Sequence, residues 1–309
     1  TDPTVFSVRL FSLKAIPAQL YAFQTHTFTN LGASGRYGPT VNIYSYSGTG
    51  FYGNSFWFTQ VYGKQGFQLW TVPTTTTYTI KAYGSSGARR SGGTNPGYGA
   101  WTQGNFSLTK GEKLVIIVGQ YHNYTGDVNN GGGGGGASWV LKEDYGGSGA
   151  TPSSLYLVAG GGGGATSQNG GGSLQTYQHA GSSQAALVTP PGSAAAAGDY
   201  SCGGGASYGV DGAAGGNPGP SQGRRPYNNA TGGNYGYNSS SYNNLGGFGG
   251  GGGSGAHAAG GGGGYVGGRG APNYYGGGGY GGSSRNNGTS ITFGLEGTYS
   301  HGKVIITRN

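Results

Sequence analysis

Apolar and polar residues alternate along short stretches of this chain, which is the pattern of β-strands with one buried face. Within residues 77–83, for example, Tyr78, Ile80 and Ala82 alternate with polar residues. Similar stretches predict further strands at 4–14, 19–29, 41–47, 55–63, 65–73, 98–120, 137–142, 154–159, 290–295 and 303–308. No helical periodicity of useful length is present, so the chain is predicted to be all-β, an antiparallel β-sandwich.

One of the predicted strands is followed by a long stretch without apolar periodicity. Leu155 to Ala159 is a continuous apolar run, typical of a buried strand, and five glycines follow it directly. Periodicity then returns only at residue 290. We therefore expect the Gly-rich stretch to be an insertion between two strands of one sandwich. The predicted division is an N-terminal part at 1–65, a sandwich at 66–160 with 290–309, and an insertion at 161–289, to which 131–136 contributes.

Glycine is the dominant residue, with 76 copies among 309 residues. It is concentrated in runs at 131–136, 160–164, 249–253, 260–264 and 276–279. The runs could be flexible linkers, but they have similar lengths, and core strands resume after them. A phosphate-binding loop is excluded because no helix start with Lys and Ser or Thr follows any run. We expect packed polyglycine II helices, three residues per turn, with main-chain groups pointing outward. Gly162→Val should then damage folding, whereas a linker would tolerate it.

Several motifs resemble a known family. The segments "FQLWTVPTTTTYTIKAYGSSGA", "GAWTQGNFSLTKGEKLVIIVGQ", "GGGGGGASWVLK" and "LYLVAGGGGGA" are similar to the Gly-rich domain of the anaplastic lymphoma kinase and leukocyte tyrosine kinase receptors. Related modules occur in phage, algal-virus and environmental microbial surface proteins. The resemblance covers roughly 66–165 and the closing "GKVIIT" at 302–307. It implies a jelly-roll-like β-sandwich with inserted polyglycine II helices. The receptors carry cysteines that this chain lacks, so their ligand binding is not carried over.

The N-terminal stretch "TVFSVRLFSLK" at 4–14 lies outside that resemblance. It places Phe6, Val8 and Leu10 on one face of a strand. Such a strand can pair within its own domain, or it can complete the sheet of a neighbouring copy and produce a head-to-tail polymer. Both arrangements are open at the sequence level, and the second predicts an intersubunit strand and a self-associating protein.

Charge and processing signals suggest an extracellular or virion-surface location. The net charge is +8, but only 8% of residues are charged, and the basic residues form no stripe of the kind that binds nucleic acid. The chain contains no Met and a single cysteine, Cys202, and the start at Thr1 is expected to follow removal of a signal peptide. No apolar run is long enough to span a membrane. Candidate N-glycosylation sites are Asn105, Asn123, Asn229, Asn238 and Asn287.

Catalytic chemistry has little support in the sequence. The five histidines are dispersed without a metal-binding spacing, and no nucleophile sits in the context of a hydrolase. We therefore predict a protein that is not an enzyme and has no cofactor: a subunit of an extracellular filament or surface fibre. The alternative is a phage or viral adhesin that binds surface glycans through Tyr/Asn-rich loops, with Tyr235, Tyr237 and Tyr242 as contacts. These tyrosines could equally pack at the ends of the glycine segments.

Overall fold

The computed structural model of the chain is all-β, which confirms the predicted fold class. The structure describes residues 19–41, 58–60, 64–89, 95–122, 131–143, 154–165, 202–215, 221–235, 245–255, 258–271 and 278–309. Eleven strands occur in these ranges: β1 Thr25–Phe28, β2 Phe58–Gln60, β3 Phe67–Thr71, β4 Thr76–Tyr83, β5 Ala100–Leu108, β6 Lys113–Ile117, β7 Ser138–Lys142, β8 Leu155–Ala159, β9 Arg285–Asn286, β10 Thr289–Leu295 and β11 Lys303–Arg308. Pro226–Asn228 forms a short 3₁₀ turn.

The strands form two antiparallel sheets that pack face to face. The first sheet has the order β1-β11-β4-β5-β10, and the second has the order β2-β3-β6-β7-β8-β9. The chain crosses from one sheet to the other between β1 and β2, between β3 and β4, between β5 and β6, and between β9 and β10. β8 pairs with β9, so the chain leaves the second sheet before the Gly-rich stretch and returns to the same sheet after it.

The core between the sheets explains the alternation in the first sheet. Tyr78, Ile80 and Ala82 of β4 point inward and are fully buried, while Thr79 and Lys81 are half-exposed. They pack with the inward residues of the second sheet, among them Trp70, Ile116 and Val140. One face of the first sheet is thus dry and the other is solvated, which is why its strands alternate in sequence.

The second sheet is buried on both faces, which explains its continuous apolar runs. Val115, Ile117, Trp139 and Val158 point away from the first sheet and are nonetheless buried. Aromatic side chains of the Gly-rich region cover them: Tyr208, Phe248 and Tyr265. The molecule therefore has three layers, namely a half-solvated sheet, a fully buried sheet and a covering layer from the insertion.

A few element boundaries differ from those predicted. Within 19–29 only Thr25–Phe28 is a strand, because it pairs with β11, whereas Gln19–Gln24 has no strand partner. The chain rejoins the second sheet at Arg285, slightly earlier than the predicted end of the insertion at 289. β9 has only two residues and no apolar alternation, so its sequence contains no strand signal. The predicted strand at 4–14, with Phe6, Val8 and Leu10, and nearly all of 41–47 lie outside the described residues.

Candidate functional site: the glycine lattice

Strands of both sheets end at one common end of the sandwich, and small residues follow or precede each of them. Gly84–Ala88 follows β4, Gly131–Ala137 precedes β7, Gly160–Ala165 follows β8, and 278–284 precedes β9. Together with the segments at 202–206, 245–255 and 258–264, we call these the glycine lattice. The lattice residues are buried almost throughout, although nearly all of them are glycine, alanine or serine; the large exceptions are Leu245, Phe248 and Tyr280.

Main-chain hydrogen bonds in the lattice join the continuations of the two sheets directly. Ser85, which continues the first sheet, donates its N–H to the carbonyl of Gly136 at 3.0 Å and accepts from Gly162 at 2.9 Å. Packed sheets are normally about 10 Å apart because side chains fill the space between them. Where the side chains are absent, the two layers approach to hydrogen-bonding distance. The sandwich thus merges into a single network of main-chain bonds.

Hydrogen-bond partners in the lattice recur with a period of three residues. The N–H groups of residues three apart on one segment donate to carbonyls three apart on the same neighbouring segment. The pairs are Gly132 to Ala165 (2.8 Å) with Gly135 to Gly162 (2.8 Å), Gly134 to Gly252 (2.8 Å) with Ala137 to Gly249 (3.0 Å), Gly161 to Gly263 (2.8 Å) with Gly164 to Gly260 (3.0 Å), and Gly203 to Gly253 (2.8 Å) with Ala206 to Gly250 (2.7 Å). A strand repeats every two residues, whereas a polyproline II helix has three residues per turn.

The lattice has no room for a Cβ atom at most of its glycines. A Cβ placed on Gly162 would lie 2.0 Å from the carbonyl oxygen of Gly97, and one on Gly163 would lie 1.8 Å from that of Gly279. One on Gly205 would lie 1.9 Å from the carbonyl oxygen of Gly262. The obstructing atoms belong to neighbouring main chains, which cannot rotate away as a side chain does. Glycine is therefore required by close approach, and the linker interpretation does not fit these segments.

The buried tyrosines among the described residues of the Gly-rich region pack against other aromatic rings or neighbouring segments. The rings of Tyr208 and Tyr265 stack at 6.1 Å, and Tyr208 also stacks on Trp139 of β7 at 6.2 Å. Tyr235, predicted as a glycan contact, is only 8% exposed, so its ring is packed and not available for stacking on a sugar. Tyr237 and Tyr242 lie outside the described residues.

The candidate glycosylation sites differ in accessibility. Asn229 and Asn287 are exposed at turns, which is compatible with a glycan. Asn105 is half-buried within β5, where its Oδ1 accepts a hydrogen bond from Thr79 Oγ1 at 2.8 Å. Asn123 and Asn238 lie outside the described residues.

Two polar clusters were not identified from the sequence because their members are distant along the chain. Asp211 accepts hydrogen bonds from Arg224 Nη1 at 2.8 Å, from the N–H of Arg225 at 2.9 Å and from Asn228 Nδ2 at 2.7 Å. The Arg224–Arg225 doublet is thus held by a carboxylate within the protein.

The second cluster lies on the solvated face of the first sheet. The Lys81 ammonium is 4.1 Å from the centre of the Trp101 ring and 5.0 Å from that of Tyr83. The Lys303 ammonium of the neighbouring strand β11 is 4.3 Å from the centre of the Tyr83 ring and pairs with Glu296 at 3.2 Å. A cation above an aromatic ring is attracted by the ring quadrupole, so the face carries a defined row of aromatic and basic groups.

Titratable groups in the described residues form no centre of the kind that holds a metal ion: no cluster of three or more His, Cys, Asp or Glu occurs there. Burial lowers the pKa of His26 to about 4, and it also lowers the pKa values of His122 and His301.

Cys202 is buried with Ala258, Ala259 and Ala271, where it packs as a small apolar residue. Its Sγ donates a hydrogen bond to the Ala271 carbonyl at 3.4 Å.

Comparison with known families adds no assignment, since no family model matches the chain. The described part of the structure also contains no helix of the length and apolarity that crossing a membrane requires. The resemblance to the receptor-type Gly-rich domain therefore stays a prediction from the sequence.

Proposed function

We propose that this chain is an extracellular structural protein, the subunit of a filament or surface fibre that assembles by strand exchange and has packed polyglycine II helices as its stiff element. The three-residue recurrence of hydrogen-bond partners carries the proposal. In such an arrangement nearly every peptide group bonds to a neighbouring segment, so stiffness comes from the main chain itself.

The fusion of sandwich and lattice supports a mechanical role. The lattice bonds to continuations of both sheets, so a force applied to one sheet is shared with the other through main-chain hydrogen bonds. Each such bond contributes roughly 1 kcal/mol net, and breaking many at once requires cooperative opening. A low charge content and exposed candidate glycosylation sites at Asn229 and Asn287 suit a protein outside the cell or on a virion.

Electron microscopy of the purified, full-length chain tests the proposal. We expect filaments or fibres in negative stain, and a fast-sedimenting fraction that increases with protein concentration. A protein that stays monomeric at every concentration, in native or recombinant form, would contradict a filament subunit.

A second candidate function is glycan binding by an adhesin. The row of Trp101, Tyr83, Lys81 and Lys303 supports it, because aromatic and basic groups on an exposed sheet suit anionic sugars. A glycan array with the full-length chain and the Trp101→Ala variant provides the test. Selective binding that disappears in the variant would favour the adhesin, and equal binding by both proteins would reject this face.

A further inference from the structure

We infer that the edge of β10, which no described strand occupies, is the acceptor for residues 4–14 of a neighbouring copy, which add a sixth strand to the first sheet. The inference rests on the proposed assembly by strand exchange and names the surface that it uses. Three observations carry it: the exposure of β10, the direction in which its apolar side chains point, and the position of the N-terminal segment.

β10 is an edge strand with unusual apolar exposure. Ile291 and Leu295 are each 37% exposed, and together with Tyr37 they are the exposed large hydrophobic residues among those described. Charged residues and prolines usually prevent edge strands from pairing with other chains, and β10 contains neither. A bulge at Ser290, where φ is +50°, distorts only its beginning, and Thr292 to Leu295 pair regularly with β5.

The apolar residues of β10 point toward the inner side of the sandwich. Phe293 lies opposite Thr102, and Leu295 lies opposite Ala100; both of these β5 residues face the core. Gly294 faces the other way, beneath the Trp101 ring on the solvated face. An inward-pointing apolar residue is normally covered by the opposite sheet, but Phe293 and Leu295 remain partly exposed.

The second sheet ends before it reaches β10. Its last described strand is β9, whose two residues lie over β5: Asn286 Nδ2 donates to Thr102 Oγ1 at 2.9 Å. β10 lies one strand further out, roughly 4.8 Å beyond β5. In the described part of the structure, no strand of the second sheet therefore lies opposite the inner face of β10. An additional strand beside β10 would pair with its outer main-chain groups and place its own apolar side chains next to Phe293 and Leu295.

Residues 4–14 have the pattern that this side requires. Phe6, Val8 and Leu10 recur every two residues, as Phe293 and Leu295 do, so one face of the added strand would be apolar along its length. The segment is connected to Gln19, which accepts a hydrogen bond from Arg308 of β11 at 3.1 Å. β1 and β10 are opposite edges of the first sheet, roughly 19 Å apart over four strand spacings. Donor and acceptor on opposite edges generate an open, head-to-tail polymer and not a closed dimer.

Disulfide trapping between copies tests the pairing in the full-length protein. One population carries Phe293→Cys, and a second, with a different affinity tag, carries Phe6→Cys, Val8→Cys or Leu10→Cys. The matched controls are Ser7→Cys and Arg9→Cys, which lie on the opposite face of the donor strand. The native Cys202 is buried and serves as its own control in the unmodified chain.

We expect disulfide-linked dimers between Phe293→Cys and at least one of Phe6→Cys, Val8→Cys and Leu10→Cys. No such dimer is expected with Ser7→Cys or Arg9→Cys. Equal trapping on both faces, or none, would overturn the inference. A double variant, Val8→Cys with Phe293→Cys, is also oxidised at a dilution where the chain is monomeric. A disulfide within one copy would show that the segment pairs with its own sheet and would likewise overturn the inference.

Microscopy of the same samples separates this inference from the proposed function. Leu295→Lys should abolish filaments, whereas Thr292→Lys, which adds the same charge on the other face of β10, should not. Circular dichroism and the unfolding midpoint verify that both variants are folded. If filaments form equally with Leu295→Lys and no cross-links appear, the acceptor is wrong although the protein is a filament subunit. If the unmodified chain forms no filaments, the proposed function itself fails.

Discussion

Single glycines in the lattice are fixed by distance to other main chains, and Gly162 shows this most directly. Its missing Cβ would be 2.0 Å from the oxygen of Gly97 and 2.5 Å from the carbonyl carbon of the same residue. The requirement is therefore steric crowding, since the φ of Gly162 is not in the left-handed region. Other glycines serve the opposite purpose: Gly111 has a φ of +84° at a turn with open space around it.

This contrast predicts different results for two substitutions. Gly162→Ala should lower the free energy of unfolding by about 3 kcal/mol or prevent folding, because overpacking against main chain is relieved only by moving a whole segment. Gly111→Asn should cost about 1 kcal/mol or less, because asparagine tolerates a left-handed conformation. Denaturant unfolding of both variants provides the comparison. Equal, small effects would mean that the lattice is loosely packed.

Buried histidine predicts the pH dependence of stability. Burial lowers the pKa of His26 to about 4 in the folded protein, from 6.5 when solvated. Above pH 6.5 the residue is neutral in both states and costs nothing. As the pH decreases from 6.5 to 4, the unfolded chain binds the proton first, so stability decreases by up to roughly 3 kcal/mol. His122 and His301 act in the same direction.

Unfolding curves at several pH values between 7.5 and 4 measure this effect. His26→Phe removes the titrating group at a position beside Phe28, whose ring is 4.6 Å away. The variant should lose less stability than the unmodified protein over the same interval. Identical slopes for the two proteins would show that His26 is solvated enough to protonate without cost.

Among the elements, the second sheet depends on the insertion for one of its two faces. Phe248 is fully buried, meets the Phe67 ring edge-on at 6.2 Å and crowds Gly38 and Gly66. Phe248→Ala should lower the free energy of unfolding by about 3–5 kcal/mol, in one cooperative transition. The exposed Tyr37→Ala is the matched control and should change it little. Separate unfolding of an unaffected sandwich would show that the insertion is an independent unit.

A strand could be predicted from the sequence where burial of one face produces alternation of apolar and polar residues, or where burial of both faces produces a continuous apolar run. Alternation in β4 and continuous apolar runs in β6 and β8 identified those elements correctly. β9 was missed because two residues contain no period, and the strand exists only because β8 offers a partner edge. The runs of glycine indicated close packing, but the sequence did not show which segments pack against each other. Contacts such as Asp211 with Arg224, or Lys81 with Trp101, depend on tertiary placement and left no local signal.

In the whole molecule, the sandwich and the lattice form one continuous hydrogen-bonded body. In the sandwich, the strands are held together by burial of large apolar side chains. In the lattice, the continuations of these strands have few large side chains and are held together by main-chain hydrogen bonds. Ordering so many glycines is costly in entropy, and the dense hydrogen bonding together with burial offsets that cost. The central claim is therefore that the glycine runs are ordered as firmly as the core strands.

Amide hydrogen exchange, followed by NMR of the uniformly ¹⁵N-labelled protein, tests that claim most directly. The N–H groups of Gly134, Gly135, Gly161 and Gly162 donate to carbonyls at 2.8–2.9 Å, and exchange of a well-ordered group requires opening of the structure. We predict protection of these glycines comparable to that of Ile116 and Val140 in the core, and little protection at Gly297, an exposed glycine in the turn after β10. Exchange of the lattice glycines as fast as that of an unfolded chain would contradict the account.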